Sequence, residues 1–78
     1  MTCRDEILQT VQQIISQKGK NEFTPIEVVE KMVNNETIYS VNTIRVEITN
    51  RMCAGAPKNH YVKYDDFARI GKGMYKLL

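Results

Sequence analysis

Residues 67–78 read FARIGKGMYKLL, and this stretch decides which fold the rest of the chain can adopt. Two apolar runs flank the turn-forming sequence Gly71-Lys72-Gly73, a pattern that predicts a β-hairpin with a glycine-rich, basic tip. Strict alternation cannot place Phe67 and Ile70 on one face, so we expect a β-bulge near the turn. The two glycines permit a positive φ and a close backbone approach at the tip.

The sequence before the hairpin predicts three helices, of which the first begins near the N-terminus. Thr2 and Asp5 have the spacing of a capping box, and Lys18-Gly19 is a typical helix end. The apolar residues between them recur at the spacing of one helix face. They are Ile7, Leu8, Val11, Ile14 and Ile15.

The second helix has the strongest start signal of the chain. Thr24 is the expected N-cap, Pro25 the first helical residue, and Glu27 the partner that completes the capping box. Phe23 can then pack onto Val28 as a hydrophobic staple. We expect about ten helical residues, ending at Asn34-Asn35. The apolar face continues through Val29, Met32 and Val33.

The third helix is predicted to begin after Ser40, with Tyr39 packed onto Ile44. Gly55 and Pro57 mark its expected end. Its apolar stripe consists of Val41, Ile44, Ile48 and Met52.

Three helices followed by a basic hairpin predict an α+β fold of the winged helix-turn-helix type, with residues 1–78 forming one domain. In such a fold the third helix enters the major groove of DNA and the hairpin, or wing, contacts the backbone. The alternative is a three-helix domain whose hairpin only completes the core. The basic tip favours the winged fold.

The charge distribution is more informative than the net charge of +2. Residues 1–39 contain four basic and six acidic groups, whereas residues 40–78 contain seven basic and three acidic groups. This asymmetry indicates an anionic partner for the second half, although chance clustering on a solvated surface explains it equally well. With 78 residues and no long apolar run, we expect a cytoplasmic protein that neither crosses a membrane nor holds a deep substrate cavity.

A helical wheel at 100° per residue sorts the third helix into a core face and a candidate DNA-reading face. Opposite the core stripe lie Asn42, Thr43, Val46 and Asn50, with Glu47 and Thr49 to either side. Asparagine can pair with adenine, threonine with several bases or a phosphate, and valine with a thymine methyl group. Arg45 and Arg51 flank the stripe and suit phosphates, whereas Glu47 opposes phosphate binding and can hold a neighbouring arginine in position.

The hairpin and the loop before it provide the other candidate DNA contacts. Arg69 and Lys72 are predicted to bind phosphates, whereas Lys76 fits that role and a purely solubilising one equally well. Lys58 and His60, in the loop after the third helix, complete the set of candidates.

No constellation of residues indicates catalysis or metal binding. His60 is the only histidine, and Cys3 and Cys53 are far apart in sequence, as expected for two reduced thiols. Asp65-Asp66 fits a turn or a strand-edge cap better than a metal site. We therefore expect no enzyme activity, no cofactor and no small-molecule substrate.

Residues 43–53, followed by Ala56-Pro57-Lys58-Asn59-His60, resemble small prokaryotic winged-helix domains that are often appended to restriction-type nucleases and other DNA-handling proteins. The hairpin is similar to their wing, and residues 23–28 are similar to their entry into the second helix, so the resemblance covers about residues 23–78. It implies DNA binding through the third helix and the wing, with His60 as a motif residue of unknown role. The contacts it supports are Arg45, Thr49, Asn50, Arg51, Arg69 and Lys72.

The leading prediction is a double-stranded DNA-binding module, either a small transcriptional regulator or an accessory protein that targets another protein to DNA. The first alternative is a winged-helix module that binds proteins, favoured by an exposed Val46 and Glu47 and by the acidic second helix with Glu27 and Glu30. The second is a homodimeric regulator joined through the first helix, whose Ile7-Leu8 and Ile14-Ile15 pairs exceed what one packing face needs.

Overall fold

A computed structural model describes residues 2–54 and 64–78 and has an α+β fold in which three helices precede a two-stranded antiparallel hairpin. This confirms the predicted fold class and its winged-helix-like layout. The elements are α1 (Cys3–Lys18), α2 (Pro25–Asn34), α3 (Val41–Val46), a π-helical turn directly after it (Glu47–Arg51, the π-turn), β1 (Phe67–Gly71) and β2 (Met74–Leu77).

The predicted helix ends of α1 are confirmed. The Thr2 side chain accepts a hydrogen bond from the Asp5 backbone N–H at 3.2 Å, and the Thr2 backbone N–H donates to the Asp5 carboxylate at 3.3 Å. Gly19 ends the helix with a φ of 72°, a conformation that favours glycine. Both ends are therefore determined by residues within one turn of the boundary.

Helix α2 begins as predicted, with reciprocal hydrogen bonds between Thr24 and Glu27 and with Pro25 as its first residue. Lys18 of α1 adds an ion pair to the Glu27 carboxylate at 2.7 Å. The helix ends at Asn34, and the chain then turns through Glu36, which has a φ of 58°. Two backbone hydrogen bonds close this end, from Glu36 to Val33 and from Thr37 to Met32; this is a Schellman pattern with glutamate where glycine is usual.

Helix three departs from the prediction of one continuous α-helix. Ser40 caps it as expected, accepting a hydrogen bond from the Thr43 backbone N–H at 3.1 Å. From Glu47 onward the backbone is π-helical, and the Met52 N–H donates to the Glu47 carbonyl at 2.9 Å, an i→i+5 bond. The predicted end at Gly55 and Pro57 lies outside the described residues.

Three burial predictions are wrong, and helix geometry explains each. Val33 is 51% exposed because it lies 100° around α2 from the buried Met32. Glu47, expected at the edge of the reading face, is buried at 8% exposure because it lies about 60° from the buried Ile44, next to the start of α1. Val41 lies about 60° from Ile44 on the opposite side, and its side chain is 47% exposed.

The hairpin forms with the expected bulge, a register shift between Arg69 and Gly71. Gly73 takes a φ of 68° in the two-residue turn, whereas Gly71 pairs with Met74 without a positive φ. Phe23, in the segment before α2, forms an isolated antiparallel bridge with Tyr75 of β2, in which the two backbones exchange hydrogen bonds of 2.8 and 2.9 Å. This bridge attaches β2 to the start of α2.

One apolar core connects all the elements. The rings of Phe23 and Phe67 meet edge-to-face with centroids 4.8 Å apart, which ties the start of α2 to β1. Leu8 and Ile15 of α1 are partly buried against this core, as are Val29 and Tyr39. The buried apolar residues are Ile7, Val11, Ile14, Phe23, Val28, Met32, Ile44, Ile48, Met52, Cys53, Phe67 and Tyr75. In the described part of the chain, no helix has the length and apolarity required to cross a bilayer.

Candidate nucleic-acid interface

The outer face of α3 and the π-turn carries most of the predicted DNA contacts on the surface. Asn42, Thr43, Arg45 and Asn50 are exposed, and Val46 is 42% exposed. A single exposed valine is common on a solvated face. The structure brings these five residues onto one helical segment with their side chains accessible.

The polar side chains of this face differ in how far they are already engaged. Thr43 accepts a hydrogen bond from the Ser40 hydroxyl at 2.8 Å, and the half-buried Thr49 donates to the Arg45 carbonyl at 2.9 Å. Both threonines thus support the local backbone. Within residues 2–54 and 64–78 the side-chain amide groups of Asn42 and Asn50 make no hydrogen bond. Their donors and acceptors are therefore available to a ligand.

The two arginines of helix three have different environments. Arg51 forms an ion pair with Glu47 at 3.5 Å, and its side chain remains 43% exposed. This confirms the expectation that Glu47 holds a neighbouring arginine, but from a buried position rather than an exposed one. Arg45 is exposed and has no acidic partner in the described part of the chain, which leaves its full charge available.

The hairpin presents its cations on different faces. Arg69 lies opposite Tyr75 and therefore on the face of the hairpin that packs against the helices, whereas Lys76 lies opposite Ala68 on the other face. The Arg69 side chain donates to the Gly71 carbonyl at 3.1 Å, which keeps it next to the turn. Lys72 is exposed in the turn itself. Arg69 and Lys72 thus form one basic tip, and Lys76 is not part of it.

The base of the hairpin is bonded directly to the end of helix three. The Phe67 N–H donates to the Met52 carbonyl at 2.8 Å, and the Ala54 N–H donates to the Phe67 carbonyl at 2.7 Å. Five residues of extended chain then carry Lys72 about 15 Å from this junction. Backbone hydrogen bonds therefore join the end of helix three to the base of the hairpin, and the basic tip lies at the far end of the hairpin.

Two predicted contacts, Lys58 and His60, lie outside the described residues. Tyr64 is described, and its backbone N–H donates to the Arg51 carbonyl at 2.6 Å. The guanidinium of Arg4 lies 4.0 Å from the centre of the Tyr64 ring. The aromatic ring thereby joins the start of α1 to the end of helix three.

Sequence reasoning missed the role of Arg4. Its guanidinium forms two hydrogen bonds with the Asp66 carboxylate, at 2.8 and 2.9 Å, and this contact raises the pKa of Arg4. Asp66 is therefore an ion-pair partner rather than a cap made by its side chain. No local signal could have revealed the pair, because the two residues lie 62 positions apart.

Cys3 and Cys53 lie in partly buried and buried positions, respectively. Burial, with the nearby charges of Glu47 and Glu6, raises the pKa of Cys3 to about 11, so its thiol stays protonated at neutral pH. Cys3 lines a cleft of about 340 Å³ with Arg4, Glu47 and Tyr64 among its walls. Both cysteines are free, and among the described residues no group of three potential metal ligands comes together.

Fold and surface together define a small α+β domain of winged-helix-like layout with an exposed polar helix face and a basic hairpin tip. The chain belongs to the family described as a domain of unknown function, DUF7669, whose model matches residues 4–77. Neither a curated protein nor a solved structure matches the chain.

Proposed function

We propose that this protein binds double-stranded DNA, with the outer face of α3 and the π-turn in the major groove and the hairpin tip on the phosphate backbone. The observation that carries the proposal is the pairing of two free asparagine amides and an unpartnered arginine on one helix with a basic hairpin bonded to the end of that helix. Amides suit base edges, and exposed cations suit phosphates. A small transcriptional regulator, or an accessory protein that directs a nuclease or another partner to DNA, would use such a surface.

The charges predict a moderate dependence of affinity on salt. Arg45, Arg69 and Lys72 are exposed cations without an acidic partner in the described residues. Three phosphate contacts give a slope of about −2.7 in log affinity against log salt, or about a 40-fold loss between 50 and 200 mM. If the protein bound DNA only through its net charge, charge reversal at any exposed cation would change the salt dependence of affinity by the same amount.

Fluorescence anisotropy with labelled random duplex, single-stranded DNA and duplex RNA, across a salt series, tests the proposal. The double variant Arg69→Glu with Lys72→Glu should weaken binding to every duplex and reduce the slope to about −0.9, because two phosphate contacts are lost. The matched control is Lys20→Glu with Lys31→Glu, which makes the same change in net charge away from helix three and the hairpin. Equal effects of the two double variants, or no effect of the first, would overturn the assignment of the wing.

A protein-interaction module remains the second candidate, and a specific observation favours it. Ile26 and Val33 on α2 are 62% and 51% exposed, and Ile38 in the following turn is 90% exposed. The features that first suggested this function are weaker, since Glu47 is buried and Glu27 is paired with Lys18. Absence of binding to all three nucleic acids at low salt would favour this candidate. A homodimer through α1 also remains a prediction, which sedimentation at micromolar concentration would test.

A further inference from the structure

The π-turn changes which side chains of helix three form a row along its outer face. Asn42 and Asn50 are eight residues apart, and in an uninterrupted α-helix they would point about 80° away from each other. From Glu47 onward each turn contains more residues, because the hydrogen bonds run from i to i+5. The smaller rotation per residue brings Asn50 back towards the direction of Asn42, with Val46 between them.

The resulting row presents one type of chemistry to the groove. Each asparagine amide can donate a hydrogen bond to N7 of adenine and accept one from the N6 amino group of the same base. The valine can contact the C5 methyl group of thymine. The row is about 12 Å long, which corresponds to about three to four base pairs at 3.4 Å each. We propose that the row Asn42–Val46–Asn50 reads a short A·T-rich element in the major groove. This inference rests on the proposed function.

The positions of the cations argue against guanine as the main base recognised by this row. Arginine is the usual reader of guanine, but Arg51 is held by the buried carboxylate of Glu47 at 3.5 Å. Arg45 is rotated about 60° from Asn42 and 100° from Val46, towards the edge of the groove. Its charge therefore faces a phosphate, and the centre of the face contains no cation.

Four short duplexes that differ only in a central block test the inference. The block contains A·T pairs, G·C pairs, inosine·cytosine pairs, or A·U pairs in place of A·T. Inosine·cytosine has the minor-groove groups of A·T and the major-groove groups of G·C, so it separates major-groove reading from recognition of a minor-groove shape. We expect the A·T duplex to bind tightest, with about fivefold to hundredfold weaker binding for each bidentate pair that is lost. The inosine duplex should bind as weakly as the G·C duplex.

Three variants assign the preference to the row. Asn42→Ala and Asn50→Ala should each reduce the ratio of A·T to G·C affinity while leaving the salt slope unchanged. Val46→Ala should reduce only the difference in affinity between the A·T and A·U duplexes, because the shorter side chain makes less contact with the thymine methyl group. Asn34→Ala, an exposed asparagine on α2, is the matched control and should leave every ratio unchanged.

The outcomes separate this inference from the proposed function. Salt-dependent binding with equal affinity for all four duplexes would overturn the A·T reading but leave duplex binding intact. A preference for A·T that the inosine duplex shares, or that survives in both asparagine variants, would also overturn it. Failure to bind any duplex at low salt would overturn the proposed function itself.

Discussion

The attachment of the wing to the helical part of the molecule depends on the side chain of Asn21. Its amide nitrogen donates to the Leu77 carbonyl at 2.7 Å, and its amide oxygen accepts from the Leu77 N–H at 2.9 Å. The side chain thus extends the backbone pairing between Phe23 and Tyr75 by one more step along β2. Asn21→Ala removes both bonds, and each solvent-exposed bond contributes about 0.5 to 1 kcal/mol. The expected loss is therefore about 1 to 2 kcal/mol, a large part of the roughly 3 to 5 kcal/mol available to a domain of this size.

Urea unfolding followed by circular dichroism measures this loss. Asn21→Asp should destabilise the fold at neutral pH at least as much as Asn21→Ala does. The aspartate carboxylate can still accept from the Leu77 N–H, but it has no proton to donate to the Leu77 carbonyl. Lowering the pH should reduce the loss of unfolding free energy in Asn21→Asp, because the protonated carboxyl group can donate again. Asn34→Ala serves as the control and should stay within about 0.5 kcal/mol of the wild type. If Asn21→Ala also stays within that range, the side chain does not anchor the wing.

Two further predictions concern the ends of α2. Burial raises the pKa of Glu27, but hydrogen bonds from Lys18 and Thr24 lower it more, so the pKa lies below the ordinary value of 4.5. The unfolded chain therefore binds a proton at Glu27 more readily than the folded chain does. The stabilisation from the ionised Glu27 is present above pH 4.5 and is lost as the pH falls through the lowered pKa. Urea unfolding should show that the stability of Glu27→Gln depends less on pH between pH 5 and 3 than that of the wild type. Glu36→Gly should stabilise the fold by about 0.5 to 1 kcal/mol, because Glu36 has a φ of 58° where glycine has no steric penalty. Thermal unfolding would show this as a higher Tm than the wild type, with Glu36→Ala giving no such gain; a Tm at or below the wild type for Glu36→Gly would contradict it.

The helix starts were predictable because the residues that determine them are close in sequence. Thr2, Thr24 and Ser40 each cap the next few residues, and a cap depends only on side chains within one turn. The hairpin was predictable for the same reason, since Gly73 supplies the positive φ that its turn needs. Even the bulge followed from the alternation of apolar residues around the tip.

Features that depend on distant parts of the chain were not predictable. The pairs Arg4–Asp66 and Asn21–Leu77 join residues more than fifty positions apart, and nothing in the local sequence marks either partner. The π-turn was also missed, because a wheel at 100° per residue assumes an uninterrupted α-helix. The burial of Glu47 was missed for a different reason: the start of α1, distant in sequence, lies next to it, and its carboxylate holds Arg51.

An NMR titration of the protein with a short duplex of mixed sequence tests whether helix three and the wing form one DNA-binding surface. We expect the backbone amide signals of Asn42, Val46, Asn50, Lys72 and Gly73 to shift together with one affinity, while those of Gln12 and Gln13 on α1 do not move. Shifts centred on Ile26 and Val33 of α2, with the helix-three and wing signals unmoved, would contradict it.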